Sequence, residues 1–94
     1  MTATATRHLT ITGHVQGVGY RWHLVQQARA LGVDGWVRNR LDGSVEALAH
    51  GPAPAVQALL EWCRQGPAAA RVEQVMVTLA DVLPPQGFEQ RETA

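Results

Sequence analysis

Residues 13–21, GHVQGVGYR, constrain this chain more than any other stretch. They follow an alternating run, His8-Leu9-Thr10-Ile11-Thr12, that places Leu9 and Ile11 on one face of a strand. They precede a run from Trp22 to Leu31 in which Leu24, Val25, Ala28 and Leu31 share one face of a helix. The chain must therefore pass from strand to helix within a few residues, and two of those are Gly17 and Gly19. Glycine lets backbone N–H groups converge without a β-carbon in the way. A helix N-terminus adds unpaired donors and partial positive charge. Arg21 stands where the helix begins, a position the helix dipole disfavours for a cation. Its guanidinium can offer a two-pronged contact to a phosphate. The pattern describes an anion pocket at a strand-to-helix turn. It matches neither the Walker sequence, which needs Gly-Lys-Ser/Thr, nor the dinucleotide fingerprint with its later acidic residue.

The remaining elements follow from periodicity and punctuation. Gly32 stops the first helix. Val33 to Asn39 reads as a second strand, and Asp42-Gly43 as the turn of a hairpin. Ser44 to Ala49 is the third strand, with Val45, Ala47 and Ala49 alternating. Gly51-Pro52-Ala53-Pro54 opens a second helix, since proline is tolerated in a first turn. Val56, Leu59, Leu60 and Cys63 form its apolar stripe, and Gly66-Pro67 ends it. Val75, Val77 and Leu79 mark a fourth strand. Pro84-Pro85 breaks the chain before a short edge strand over Phe88 to Arg91. The order strand–helix–strand–strand–helix–strand, with right-handed crossovers, gives an α+β fold: a ferredoxin-like split βαβ sandwich (βαββαβ), an antiparallel sheet with two helices on one face. The expectation is one domain over residues 7–92, with residues 1–6 disordered or frayed.

Composition narrows the function classes. Ninety-four residues make one small domain that buries roughly 60–65% of its unfolded surface. The formal net charge is zero and the sequence pI about 6.9, which argues against a nucleic-acid partner, since such proteins carry a basic face. The single cysteine, Cys63, cannot form an internal disulfide, and its place on the apolar stripe reads as core. No apolar run reaches the ~18 residues of a membrane span. Met1 to Thr6 lacks the apolar centre of a signal peptide, so a cytoplasmic location is expected. His8, His14, His23 and His50 do not fall at metal-ligand spacing on one element, so no metal is expected. Trp22, Trp36 and Trp62 read as packing residues, with Trp22 or Trp36 a possible pocket rim. Strand alternation sends Arg38 to the face opposite Asn39. Arg38, Asp42 and Glu46 read as solvated charges.

A second segment makes the first specific. Asn39 lies within GWVRNRLDGSVE, residues 35–46. Alone it reads as an asparagine ending a strand before a turn. Together with GHVQGVGYR, His50-Gly51-Pro52 and the CRQGPAAARVEQV run of residues 63–75, it makes the chain resemble the acylphosphatase family, from Arg7 to about Arg91. The resemblance implies hydrolysis of acyl phosphates, mixed anhydrides of a carboxylic and a phosphoric acid. It implies that Arg21 is the catalytic arginine that binds the phosphoryl group and Asn39 the catalytic asparagine that orients the attacking water. Val15, Gln16, Gly17, Val18, Gly19 and Tyr20, with Arg21, match the phosphate cradle, which works mainly through backbone N–H groups. Tyr20 stands where phenylalanine is frequent.

No metal or organic cofactor is implied. The implied partner is a small acyl phosphate, with inorganic phosphate or sulfate as competing anions; no nucleic acid or membrane is involved, and a monomer is expected. Two other readings compete. One is a non-catalytic ferredoxin-like module for small ligands or RNA. An RNA binder should show exposed aromatics and a basic sheet face, whereas this chain is 5% aromatic without net charge. The other is a carbamoyl-phosphate-handling acylphosphatase-like domain of a larger carbamoyltransferase, in which zinc-finger-like cysteine pairs would follow.

Overall fold

A computed structural model describes residues 3–94, arranged as β1 (Thr4–His14), α1 (Tyr20–Leu31), β2 (Asp34–Asn39), β3 (Val45–Pro52), α2 (Ala53–Gln65), β4 (Arg71–Leu79) and β5 (Phe88–Gln90). The sheet order is β4-β1-β3-β2-β5. The pairs β1–β3, β1–β4 and β2–β3 are antiparallel, as the split βαβ reading expects. The fifth strand departs from a wholly antiparallel sheet, because β5 pairs with β2 in parallel. The direction is forced. β4 runs opposite to β1, and β1 runs with β2, since each opposes β3. A chain that reverses after β4 therefore reaches the β2 edge running alongside it, and covers an edge that would otherwise be open.

The expected fraying of residues 1–6 is corrected in part. Met1 and Thr2 lie outside the described residues, but Thr4, Ala5 and Thr6 belong to β1 and pair with Pro52, Gly51 and His50. They have partners because β3 continues to Pro52, and the Ala53 N–H then donates to the Ala3 carbonyl at 2.8 Å. Among the described residues, no helix is long and apolar enough to cross a membrane.

Period two divides the sheet into unlike faces. Leu9, Ile11, Val37, Val45, Ala47 and Ala49 point to the helix-bearing side and are buried with Leu24, Val25 and Ala28 of α1 and Val56, Leu59, Leu60 and Cys63 of α2. Trp62 packs on Tyr20 with ring centroids 5.5 Å apart. The opposite face carries a polar network centred on Glu46. His8 Nε2 and Arg38 Nε each lie 2.6 Å from its carboxylate, and Arg40 donates at 3.2 Å. Arg38 and Arg91 each lie over Trp36, at 5.0 and 5.1 Å from a ring centroid.

Glu46 and Arg38 are therefore not the solvated charges the sequence led us to expect. The register places Arg38 directly across from Glu46 and Thr10 on its other side, and only 15% of the Glu46 side chain is exposed. Asp42 is exposed as expected, and accepts from the Ser44 N–H and hydroxyl at 2.9 and 2.6 Å. Those bonds hold its carboxyl below the ordinary range.

Burial alone would raise the Glu46 pKa, but hydrogen bonds from His8 and Arg38, with the arginine charge, outweigh it and hold the carboxyl below its usual value. A depressed carboxylate contributes stability above its unfolded pKa, and that contribution is lost as pH falls through the folded value. Glu46→Gln should thus cost roughly 1 kcal/mol at pH 7, or about 4–8 °C in Tm. The gap to wild type should narrow as the pH is lowered below the ordinary glutamate range. Melting curves at pH 7 and pH 3 test this; an equal gap at both would refute a charge-based role.

Candidate active site

The loop between β1 and α1 runs through Gly17 at φ 74° and Gly19 at φ 79°, and among the described residues no non-glycine residue has a positive φ. The sign of φ therefore alternates across Gly17, Val18 and Gly19. Such alternation turns successive N–H groups toward one point and makes an anion-binding concavity. Only glycine takes the two positive positions without strain. Among the described residues, none of the backbone N–H groups from Gln16 to Trp22 donates to a protein acceptor. Gly19 caps α1 with no side-chain bond, and the first turn holds no acidic residue. His23 donates its backbone N–H to the Gly19 carbonyl at 3.1 Å and sets Nδ1 2.8 Å from the same oxygen. That carbonyl is engaged on the helix side, while the N–H groups remain unpaired.

The loop's side chains have divided duties. Val15 and Tyr20 are each 1% exposed. The Tyr20 hydroxyl donates to the Cys63 carbonyl at 2.7 Å. Tyr20 therefore serves the loop through its backbone, and the hydroxyl that phenylalanine would lack ties α1 to α2. Burial pushes the Tyr20 phenol far above its usual range and the Cys63 thiol up to about 12. Cys63 is thus a core residue, as its helical position indicated, and not a thiolate nucleophile at neutral pH. Val18 packs against the core. Gln16 reaches away from the loop, and its Nε2 donates to the carbonyls of Arg40 and Ser44 at 2.8 and 2.9 Å.

A pocket of about 120 Å³ is lined by Val15, Gly17, Gly19, Tyr20, Arg21, Trp22 and Gln90. It gathers five of the seven cradle positions. Its volume is well below the roughly 300–1,000 Å³ of drug-sized ligand sites, which suits a small anion. No acidic residue lines it. Arg21 is half-buried there, and its guanidinium has no hydrogen-bond or ion-pair partner among the described residues. A larger pocket of about 350 Å³ lies toward the C-terminal end of α1, between Arg29 and residues 85–89. It contains none of the expected site residues.

Asn39 does not line the small pocket. It ends β2 opposite Val45, on the helix-bearing face with Val37. Arg38 takes the other face, as alternation requires. The Asn39 Oδ1 atom is buried without a hydrogen-bond partner, a condition that costs about 1–3 kcal/mol and calls for an explanation. β1 and β2 run in the same direction, so the loop after β1 and the end of β2 lie at one end of the sheet. The Gln16 bond to Arg40, the neighbour of Asn39, fastens the two together.

Gln90 was not anticipated. Its alternation with Phe88, which is 3% exposed, points it to the helix side. Nothing in the sequence states that β5 lies parallel beside β2, and only that pairing brings its end to the pocket. Among the described residues, no three of His, Cys, Asp and Glu gather as a metal site.

The arrangement is one cation and a run of unpaired N–H donors at a small pocket, with a buried amide oxygen that lacks a partner at the same end of the sheet. The pocket groups can hold a tetrahedral anion. The family model for acylphosphatases matches residues 7–90. An acylphosphatase of Acidovorax sp. (strain JS42) is 64% identical over 91 residues, covering 97% of this chain and 94% of the relative. Among solved structures, an acylphosphatase from Coxiella burnetii superposes with a TM-score of 0.89 at 34% identity, covering 94% of this chain and 93% of that one. The acylphosphatase of Bacillus subtilis superposes with a TM-score of 0.87 at 33% identity, covering 95% and 99%. With the match spanning nearly its whole length, the chain belongs to the acylphosphatase family, enzymes that hydrolyse acyl phosphates.

Proposed function

We propose that the protein hydrolyses acyl phosphates by in-line attack of a water positioned by Asn39 on a phosphoryl group held by Arg21 and the loop of residues 15–20. The observation that carries this reading is the Arg21 guanidinium, unpaired among the described residues, beside backbone N–H groups of residues 16–22 that have no protein acceptor among them. Phosphoryl transfer asks mainly for positioning and charge stabilisation, and those groups supply both. The Asn39 Oδ1 atom, buried and without a partner, is suited to accept a hydrogen bond from water. The water oxygen bonds to phosphorus as the bond between phosphorus and the acyl oxygen breaks. The electron pair leaves on the carboxylate, and the water's proton passes to a phosphoryl oxygen. A carboxylate is a good leaving group, so the reaction needs no strong general acid, consistent with a pocket lined by none.

Arg21→Ala should lower the release of phosphate from a synthetic aryl acyl phosphate by about 10²–10³-fold. More than about a tenth of wild-type activity in that variant would contradict the assignment. Asn39→Ala should lower kcat and kcat/KM together while leaving phosphate affinity within about threefold of wild type. If affinity fell as far as the rate, Asn39 would be a binding residue instead. Phosphate and sulfate, which share the tetrahedral geometry, should inhibit competitively and raise Tm by binding the native state. Arg21→Ala should lose most of that upward shift and Arg38→Ala should keep it, each measured against its own baseline. Equal losses in the two arginine variants would place the anion elsewhere.

A further inference from the structure

We propose that Trp22 and Gln90 form the acyl-binding side of the pocket and select flat, uncharged acyl groups such as aroyl groups, an inference that rests on the hydrolytic reading above. Once the backbone N–H groups and Arg21 are assigned to the phosphoryl end, the lining leaves two side chains able to meet the other half of the substrate. Neither can serve as a phosphate counter-charge, since Trp22 offers an indole face and Gln90 a neutral carboxamide.

Trp22 is not a packing residue. It is 59% exposed and, among the described residues, is the one aromatic in the set of exposed large hydrophobic side chains. Trp62 is packed on Tyr20 and Trp36 lies under Arg38 and Arg91. Trp22 meets His23 in a T-shaped contact, at 5.0 Å between centroids and 83° between planes. That contact orients the ring, and more than half of the residue stays open to solvent. An exposed, oriented aromatic face beside an anion pocket is a platform for a planar apolar group. His23 is in turn fixed by its bond to the Gly19 carbonyl, so the platform and the phosphate loop are parts of one rigid turn.

Gln90 lies on the same face of β5 as buried Phe88 and opposite Val37 of β2, and so faces α1. Its amide N–H can donate to the acyl carbonyl oxygen, which every acyl phosphate carries. A neutral donor there also assists a leaving carboxylate without trapping it as an arginine would. The remaining lining residues offer no second charge, so an acyl group bearing its own carboxylate or ammonium finds no partner. The two side chains thus have separable effects: Trp22 discriminates between acyl groups, and Gln90 acts on all of them.

The test compares kcat/KM for benzoyl phosphate and acetyl phosphate in wild type, Trp22→Ala, Trp22→Phe and Gln90→Ala. In Trp22→Ala the ratio of benzoyl to acetyl activity should fall about fivefold to tenfold, and Trp22→Phe should restore most of it. Gln90→Ala should lower both substrates by a similar factor, about threefold to tenfold, while keeping the phosphate-induced rise in Tm that Arg21→Ala loses. A Trp22→Ala variant with the wild-type ratio would overturn the platform. A Gln90→Ala variant with wild-type rates, or one that loses the phosphate-induced shift, would overturn the carbonyl contact. A wild type active on both substrates with no such pattern refutes this inference alone. A wild type that releases phosphate from neither refutes the hydrolytic reading, and this one with it.

Discussion

Three strands of this sheet end at the same place because they run the same way. β1 and β2 each oppose β3, and β5 follows β2. The loop after His14, the side chain of Asn39 and the side chain of Gln90 are therefore delivered to one end of the molecule by strand direction alone. Three segments far apart in the chain meet there. Such a meeting at the carboxyl ends of parallel strands is where α/β sheets generally place ligands. Gln16 makes the meeting rigid. One carboxamide, bonded to the carbonyls of Arg40 and Ser44, fixes the loop to the β2–β3 turn through the backbone, so the clamp survives any change in the side chains of residues 40 and 44 that keeps the turn.

The division of charge between the sheet faces matters as much. Glu46 engages His8, Arg38 and Arg40 on the helix-free face, and Glu89 engages Arg91. Those two acids are thereby occupied on the side away from the pocket. Among the described residues, Arg21 is left without a counter-ion next to N–H groups that also lack acceptors. A carboxylate on the pocket side would neutralise Arg21 and compete with any anionic ligand, and the lining contains none. The cost of an unpaired, half-buried guanidinium at a helix N-terminus is a destabilisation that a bound phosphoryl group would relieve. Under the proposed mechanism, stability is set below its maximum at the position where an anion would bind.

Packing beneath the loop explains how so short a turn keeps its shape. Val15 and Tyr20 bracket it and are both sunk in the core. The Tyr20 hydroxyl is bonded to the last turns of α2. The first residue of α1 is thus pinned from below, and the N-terminal N–H groups it carries are held in one orientation. Preorganised donors need no rearrangement when charge develops, the condition under which such groups contribute most to a reaction.

Much of this was legible in the sequence, for definable reasons. Periods of two and 3.6 placed the first four strands and both helices, because each element's buried face is written in its own residues. Gly17 and Gly19 announced a turn that only glycine adopts easily, and Arg21 stood out because a helix start is a poor place for a cation without an anion. The alternation of Arg38 and Asn39 put them on opposite faces before any fold was known. What the tertiary structure decided depends on partners distant in sequence. The Glu46 cluster required the β1–β3–β2 register, so Arg38 and Glu46 read as solvated until His8 and Arg38 were placed on either side of the carboxylate. The clamp by Gln16 and the core role of the Tyr20 hydroxyl lie on contacts across 24 and 43 residues. Thr4 to Thr6 became strand only because β3 extended far enough to pair with them. Gln90 entered the pocket only because β5 crosses to the β2 edge and runs parallel to it. A residue's own pattern states which way it faces; the sheet order states what it faces.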